Sequence, residues 1–529
     1  MLSADPLGGQ TARPFPSDLL GGGKGRRMTD ARSSVGEKSP DPRRWRGLWV
    51  LLLGQFAALL DVSVTNVALP SIGLSTGSSP SQLQWIVTGY VLAFGLMPII
   101  GGRLGDIGGR RRIFVIGLIG FVVASAAVGL SPNPIFIIVA RVVQGLFGGV
   151  LGPQVSGYIQ NAFPRSERGR AFGRLGFALA IATALGPVVG GLLIALGGPE
   201  FGWRLVFFIN LPIGITAIVL SLAWVREARP ATGGKRQTLD LPGAILLGLA
   251  ILCVLFPIVE FSTFRSGWVF LLVLPGATFG ALFLRREATL TGTDGSPLLD
   301  LRLFRQPSFT IGVTFILLYF CGSTGLPLIL TLYLQQGIGF EPIQAALAVT
   351  SLAVGSAVSA PIAGRLVARI GRPLVVVGVT LFIIGAAWIA IVVATAPALT
   401  DPGAIILRLA FPLFLIGVGG GAVITPNQTL SLTDVDRRIG GSAGGVLQTS
   451  QRIGAAIGQA SIGAVFFAVI AGSAASTGPG SPAQHPQDFS TAFVTGVVAA
   501  IVFSLAALAL GLLDLQATRR RRREPTGVA

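Results

Sequence analysis

Residues 102–110 read "GRLGDIGGR", and residues 364–372 read "GRLVARIGR". Gly-Arg-Leu opens both stretches and Gly-Arg closes both in the same register. Each follows a run of about 20 apolar residues, the length a helix needs to cross a hydrocarbon core roughly 30 Å thick. A motif that returns at the same place after a span marks a duplicated unit. Two parallel copies of such a unit build the halves of alternating-access transporters, with the substrate site between them.

Working outward on the same length rule gives fourteen spans, at about 47–70, 83–103, 113–131, 134–158, 172–196, 204–225, 240–260, 267–285, 308–333, 344–364, 374–396, 404–426, 442–470 and 490–514. The first copy of the motif follows span 2 and the second follows span 10. The expected architecture is an all-α polytopic membrane protein with two six-helix halves and two inserted helices. Residues 1–45 are a Gly-, Pro-, Ser- and Arg-rich tail with no apolar run, expected to be disordered, and Met28 is a possible alternative start. Residues 46–226 form the first half, 227–307 the two-helix insert with its linkers, 308–515 the second half and 516–529 a basic tail.

Composition agrees. Only 12% of residues are charged and 51% are hydrophobic, against about 25% charged in soluble domains. The net charge of +18 is not a nucleic-acid signal, because the cations follow the loops. With both termini cytoplasmic, 35 of the 40 Lys and Arg fall on the inner side, as the positive-inside rule requires. Arg204, Arg265 and Arg408 are left outside, and Arg141 and Arg452 fall inside spans. The run Arg519–Arg523 is placed to meet anionic lipid. Three lysines against 37 arginines point to a GC-rich bacterial genome, hence to a bacterial cytoplasmic membrane. Cys253, Cys321 and a single histidine, His485 in a polar loop, support neither a disulfide framework nor a zinc site. The sequence has no phosphate-cradling loop and no Ser-His-Asp set. It reads as a carrier and not as an enzyme, with no bound cofactor and no ATP-driven step.

One acid lies deep in a span. Asp61 sits in "LLDVSVTNVALP" (59–70), where a mid-membrane carboxylate costs about 2.5–3.5 kcal/mol on insertion scales. It is fourteen residues from Gly47, about 21 Å at 1.5 Å per residue. Arg141, counted from the other side along span 4, reaches a similar level. Two readings stand: a permanent ion pair that locks helices, or a carboxylate that binds and releases a proton while Arg141 and Gln144 tune it. Span 13 places Gln448, Arg452 and Gln459 on one face, open to substrate contact or to structural pairing. Asn66, Tyr90, Phe94 and Tyr319, with Phe56 and Phe320, are candidate cavity lining. Small residues recur every fourth position in span 5 (Ala178, Ala182, Gly186, Gly190) and span 10 (Ser351, Gly355, Ser359, Ala363). Such stripes permit close helix approach, and the sharper reading sets them face to face across the halves. Pro187 is expected to kink span 5.

The chain resembles the major facilitator superfamily, and within it the fourteen-span drug:proton antiporter branch of EmrB/QacA type, in an actinobacterial-like form. The resemblance covers nearly everything after residue 45. It rests on "LLDVSVTNVALP", on "GRLGDIGGRRR" (102–112), on "RVVQG" (141–145), on "ALGPVVGG" (184–191), on "WRLVFFINLPIG" (203–214) and on "GGVLQTSQRIGAAIG" (444–458). Two positions depart from the pattern: Ala182 stands where the fifth-span motif begins with Gly, and Ala368 replaces the acid in the second loop copy. The resemblance implies a multidrug exporter driven by the proton gradient, acting as a monomer on amphipathic small molecules. The alternative is a dedicated exporter of one metabolite, antibiotic or lipid, and a channel is the remaining reading. The resemblance also implies that Gly102, Asp106, Gly109, Arg110 and Arg112 form a cytoplasmic latch near the start of span 13, and that Gly186, Pro187, Gly190 and Gly355 serve the moving interface. Substrates are expected to be neutral, zwitterionic, weakly anionic or singly cationic, because one acid faces two mid-membrane arginines.

Overall fold

The computed structural model describes residues 42–227, 239–264, 267–292, 297–395, 402–476 and 486–523. Nearly all of the expected disordered tail, the start at Met28, Arg265 and the loop around His485 lie outside these residues. The helices are α1 (Arg44–Thr76), α2 (Pro80–Gly108), α3 (Arg110–Gly129), α4 (Pro134–Ala162), α5 (Arg165–Phe208), α6 (Asn210–Trp224), α7 (Leu241–Phe264), α8 (Val273–Gly292), α9 (Pro307–Ser323), α10 (Gly325–Leu332), α11 (Pro342–Ile370), α12 (Arg372–Thr395), α13 (Pro402–Ser431), α14 (Gly440–Ser476) and α15 (Pro486–Arg523). No strand occurs among the described residues.

Among the described residues, twelve helices are long and apolar enough to cross a membrane, and they coincide with spans 1–6 and 9–14. The insert differs. In α7 the apolar stretch is shorter, Leu241–Pro257. α8 begins only at Val273 after a 3-10 turn and carries Arg285, Arg286 and Glu287 near its end. Span 5 and the first five residues of span 6 form one long element, broken at Gly198 (φ 69°, ψ 178°), and the rest of span 6 is α6. Glycine tolerates this dihedral where other residues do not. The non-helical dihedrals fall there and not at Pro187, so the expected kink is displaced to the turn between two spans.

Sequence-local chemistry sets the boundaries. Ser79 and Gln82 form a reciprocal capping box at the start of α2, with Pro80 in the first turn. Asn133 accepts from the Phe136 amide ahead of Pro134 in α4. Between α2 and α3, Gly109 adopts φ 92°, so two spans join with almost no loop.

Helices α1–α6 pack on one another, as do α9–α15. Between these sets, α5 meets α11 and α13, and α14 meets α2 and α4. The close approaches cluster at one level. A Cβ on Gly102 or Gly445 would strike the backbone carbonyl of Gly441 or Pro98, respectively, and Gly169 and Gly364 exclude a Cβ on each other. All these residues lie toward the ends of their helices that carry Asp106 and Arg437, the side on which α1 begins and α15 ends. That terminal side is closed. α7 lies against α2 and α14, along the same seam, with the Trp85 and Phe256 rings 5.9 Å apart.

Candidate functional site

Asp61, Arg141 and Gln144 meet inside the first set of helices. The Asp61 Oδ2 pairs with the Arg141 guanidinium, and both side chains are at most 1% exposed. Gln144 donates to Asp61 Oδ1 at 3.0 Å and accepts from Arg141 at 2.8 Å. Arg141 also donates to the Ile86 carbonyl at 3.2 Å. Its guanidinium carbon lies 4.1 Å from the Tyr90 ring centroid. Tyr90 is held from behind, because its hydroxyl donates to the Ala58 carbonyl at 3.0 Å.

A fourth partner was not singled out in the sequence. Asn210, the first residue of α6, is fully buried. Its Nδ2 donates to Asp61 Oδ1 at 2.8 Å and to Ser125 Oγ at 2.9 Å. Ser125, in α3, donates onward to the Phe207 carbonyl at 2.9 Å. The carboxylate therefore accepts from three side chains on two other helices. The Asn210 Oδ1 has no partner though it is buried. A buried polar atom without a partner is costly.

Asp61 points toward α4 and α6. Other faces of α1 meet other helices of the same set. Gly73 packs on Leu83 of α2, and Ser63 bonds the Thr183 carbonyl of α5. Asn66 lies between these directions and is exposed. Of the aromatic candidates, Tyr90, Phe94 and Tyr319 are at most 5% exposed, and Tyr319 packs on Phe382 and Phe320. Phe56 and Phe320 are half-buried. Aromatic rings read as lining are thus mostly packing, because composition alone does not say which face of a helix they take.

The latch residues come together. Asp106 accepts from the Gly441 amide at 3.1 Å and from the Ser442 amide and hydroxyl at 2.8 Å each. This places a carboxylate on the N-terminus of α14, where the helix dipole favours it. Arg110 bonds Asp106 and the Gly157 carbonyl at 2.6 Å each, and the Arg437 carbonyl at 3.0 Å. Gly102 touches Gly441, and Gly109 makes the turn. Arg112 does not join them: it is exposed. Arg111 bonds Glu227 instead, at 3.2 Å.

The small-residue stripes are not arranged face to face as a whole. Gly186 and Gly190 pack on Ser63, Val64 and Val67 of α1, and Gly355 packs on Phe414 and Val418 of α13. The cross-set contact uses other members of the same helices, Gly169, Gly173 and Gly176 against Ala360, Pro361 and Gly364. Spacing says that a close approach occurs, not which neighbour makes it. Pro187 lies within the helical stretch beside Gly186.

Gln448 and Arg452 differ from each other. Gln448 donates to Ser156 of α4 across the seam at 3.4 Å. Arg452, one turn further along α14, is half-buried and makes no ion pair or hydrogen bond among the described residues. Its guanidinium carbon stands 4.7 Å from the Phe94 ring centroid. No group of three or more His, Cys, Asp or Glu side chains that could hold a metal occurs among the described residues.

Residues 51–459 match the model of the Major Facilitator Superfamily. The chain is 35% identical to the "Probable actinorhodin transporter" of Streptomyces coelicolor over 82% of its own length and 74% of that protein. It is 33% identical to the "Puromycin resistance protein pur8" of Streptomyces alboniger over 93% and 95% of the two chains. The fold is similar to that of the human organic anion transporter MFSD10, with a TM-score of 0.62 at 15% identity, covering 89% of this chain and 100% of that one. Fold, motifs and relatives agree: this chain belongs to the Major Facilitator Superfamily and is a membrane transporter, not an enzyme.

Proposed function

We propose that the protein exports amphipathic small molecules in exchange for protons, by alternating access, across a bacterial cytoplasmic membrane. In this reading residues 46–226 and 308–515 are the rocking halves. The insert within 227–307 supplies two further spans, for fourteen in all, and both termini are cytoplasmic. The proton gradient supplies the energy, no bound cofactor is needed, and the monomer is the working unit. The observation that carries the reading is the Asp61 cluster. A carboxylate at most 1% exposed, held by Arg141, Gln144 and Asn210, can exchange a proton only when those partners move. Rocking changes its solvation and its contacts, and both set its proton affinity.

Efflux from energised everted vesicles, against a panel of amphipathic compounds with and without a protonophore, tests this. Asp61→Asn should abolish uphill efflux while the protein remains in the membrane. Full protonophore-sensitive efflux by that variant would remove Asp61 from the coupling role. A second reading, a dedicated exporter of one endogenous antibiotic, is favoured by the similarity to the Streptomyces actinorhodin transporter and puromycin resistance protein. Efflux restricted to a single chemical scaffold would select it.

A further inference from the structure

The halves meet over a short vertical distance, and Arg452 stands at its edge. Gly441 against Gly102, Gly445 against Pro98 and Gln448 against Ser156 are successive contacts up α14 from the terminal side. Arg452 follows one turn later, about 18 Å along the helix from Gly440, and faces Phe94 of α2. Further along, Gly454 and Gly458 pack on α9 of their own half. Arg452 is therefore the furthest of these contacts along α14, before the helix packs on its own half at Gly454.

Among the described residues its charge has no counter-ion. Of the described acids in residues 308–515, Glu341, Asp434, Asp436 and Asp488 lie at helix starts or between helices, and Asp514 pairs with Arg372 at 2.8 Å. The first half offers Asp61, which is already bonded to Arg141, Gln144 and Asn210. Arg141 and Arg452 cap the two ends of one aromatic stack. Arg141 lies over Tyr90, Tyr90 stacks on Phe94 with centroids 5.7 Å apart and planes inclined 22°, and Arg452 lies over Phe94. One cation is neutralised and the other meets only a ring face. Ring quadrupoles attract cations weakly compared with the desolvation a deep guanidinium suffers. A deep charge of this kind marks a functional contact.

Resting on the exporter reading, we propose that Arg452 is the anchor for the acidic group of the transported compound, a monoanionic carboxylate, enolate or phenolate carried on a planar apolar body. The guanidinium offers a fork that pairs two oxygens at once. Once Arg452 turns to the acid, the Phe94 face it covered and the half-buried Phe320 receive the apolar body, where burial supplies the binding. Because Phe94 and Arg452 belong to opposite halves, opening the terminal side separates them and frees the guanidinium to capture an acid from that side.

The test uses the full-length protein purified into nanodiscs and two matched probes, anthraquinone-2-carboxylate and anthraquinone-2-carboxamide. Wild type should bind the carboxylate about tenfold or more tightly than the amide. Arg452→Gln should bring the carboxylate down to the amide's affinity while leaving the amide within about twofold of wild type, which also shows that the variant is folded. Arg452→Lys should keep part of the preference. Equal affinity of wild type for both probes, no measurable binding of the carboxylate, or an undiminished preference in Arg452→Gln each overturns the proposal. Efflux is scored separately. If proton-driven efflux of both probes fails while the binding preference persists, the exporter reading falls and the anion site stands.

Discussion

Two arginines lie deep in this protein, and they are held in opposite ways. Arg141 is sealed, paired with Asp61, and bonded to Gln144 and a backbone carbonyl. Arg452 is half-buried and rests on one aromatic face. The same side chain is ion-paired in one place and set against a ring in the other. What separates them is the counter-charge, and a cation left without one at this depth must be compensated by something that comes and goes.

The sharpest way to break the comparison is to remove each cation. Arg141→Ala leaves Asp61 buried and unpaired, expected to cost about 3–5 kcal/mol, and Asp61→Asn with Arg141→Gln should recover much of it. Arg452→Ala should stay within about 1 kcal/mol of wild type. Folded fraction after heating, read by fluorescence-detected gel filtration, measures all four, and similar losses for the two arginines would erase the distinction. Next in size is Asn210→Ala. It removes the hydrogen bond to Asp61 Oδ1 and the one to Ser125, about 1.5–3 kcal/mol, so its folded fraction after heating should fall between those of Arg141→Ala and Arg452→Ala. A folded fraction equal to that of wild type would reduce Asn210 to a helix contact.

Gly102→Val follows, at about 1–3 kcal/mol of overpacking. It acts across the seam against the Gly441 backbone and should favour the state open on the terminal side. Gly355→Leu should instead strain α11 against α13 and lower stability without changing orientation. Thiol labelling of single cysteines placed above and below Arg452 distinguishes the two, and an identical labelling pattern in both variants would contradict the assignment.

The smallest effect concerns Glu287, outside the spans. It is fully buried, accepts from the Leu298 and Leu299 amides at 3.2 and 3.1 Å, and burial pushes it up to about 6 against those two bonds. A raised carboxyl binds its proton better when folded, so stability falls as pH rises from about 4.5 to 6. Lowering pH from 7.5 to 5.5 should raise the Tm of wild type relative to Glu287→Gln by a few degrees at most. A constant difference between the two would count against a titrating Glu287.

The membrane helices were legible because hydropathy and length act along the chain alone. Asp61, Arg141 and Gln144 were legible because charge in an apolar run is conspicuous and depth can be counted from either end. Asn210 was not, since an uncharged amide in "FFINLPIG" carries no signal that its side chain turns toward a helix 149 residues earlier. Its one sequence cue was a lone amide among apolar neighbours at the start of a span. The stripes on α5 and α11 misled for a related reason. Small residues at every fourth position fix a face, but the partner of that face depends on the tertiary arrangement. The meeting of Asp106 and Arg110 with the start of α14 was legible, whereas the exposed Arg112 could not be told from Arg111 within a run of three.

The glycine seam on the terminal side has an evolutionary consequence. Backbone meets backbone at Gly102–Gly441, Gly445–Pro98 and Gly169–Gly364, so every one-carbon addition there acts as a wedge of known thickness. Under the exporter reading, substitution at these positions is expected to leave Asp61 and Arg452 in place and to change the resting balance between orientations. A series from Gly through Ala to Val at one position is then a graded dial. Natural variants could drift along it, retuning turnover for a new membrane or a new cargo concentration without rebuilding either site.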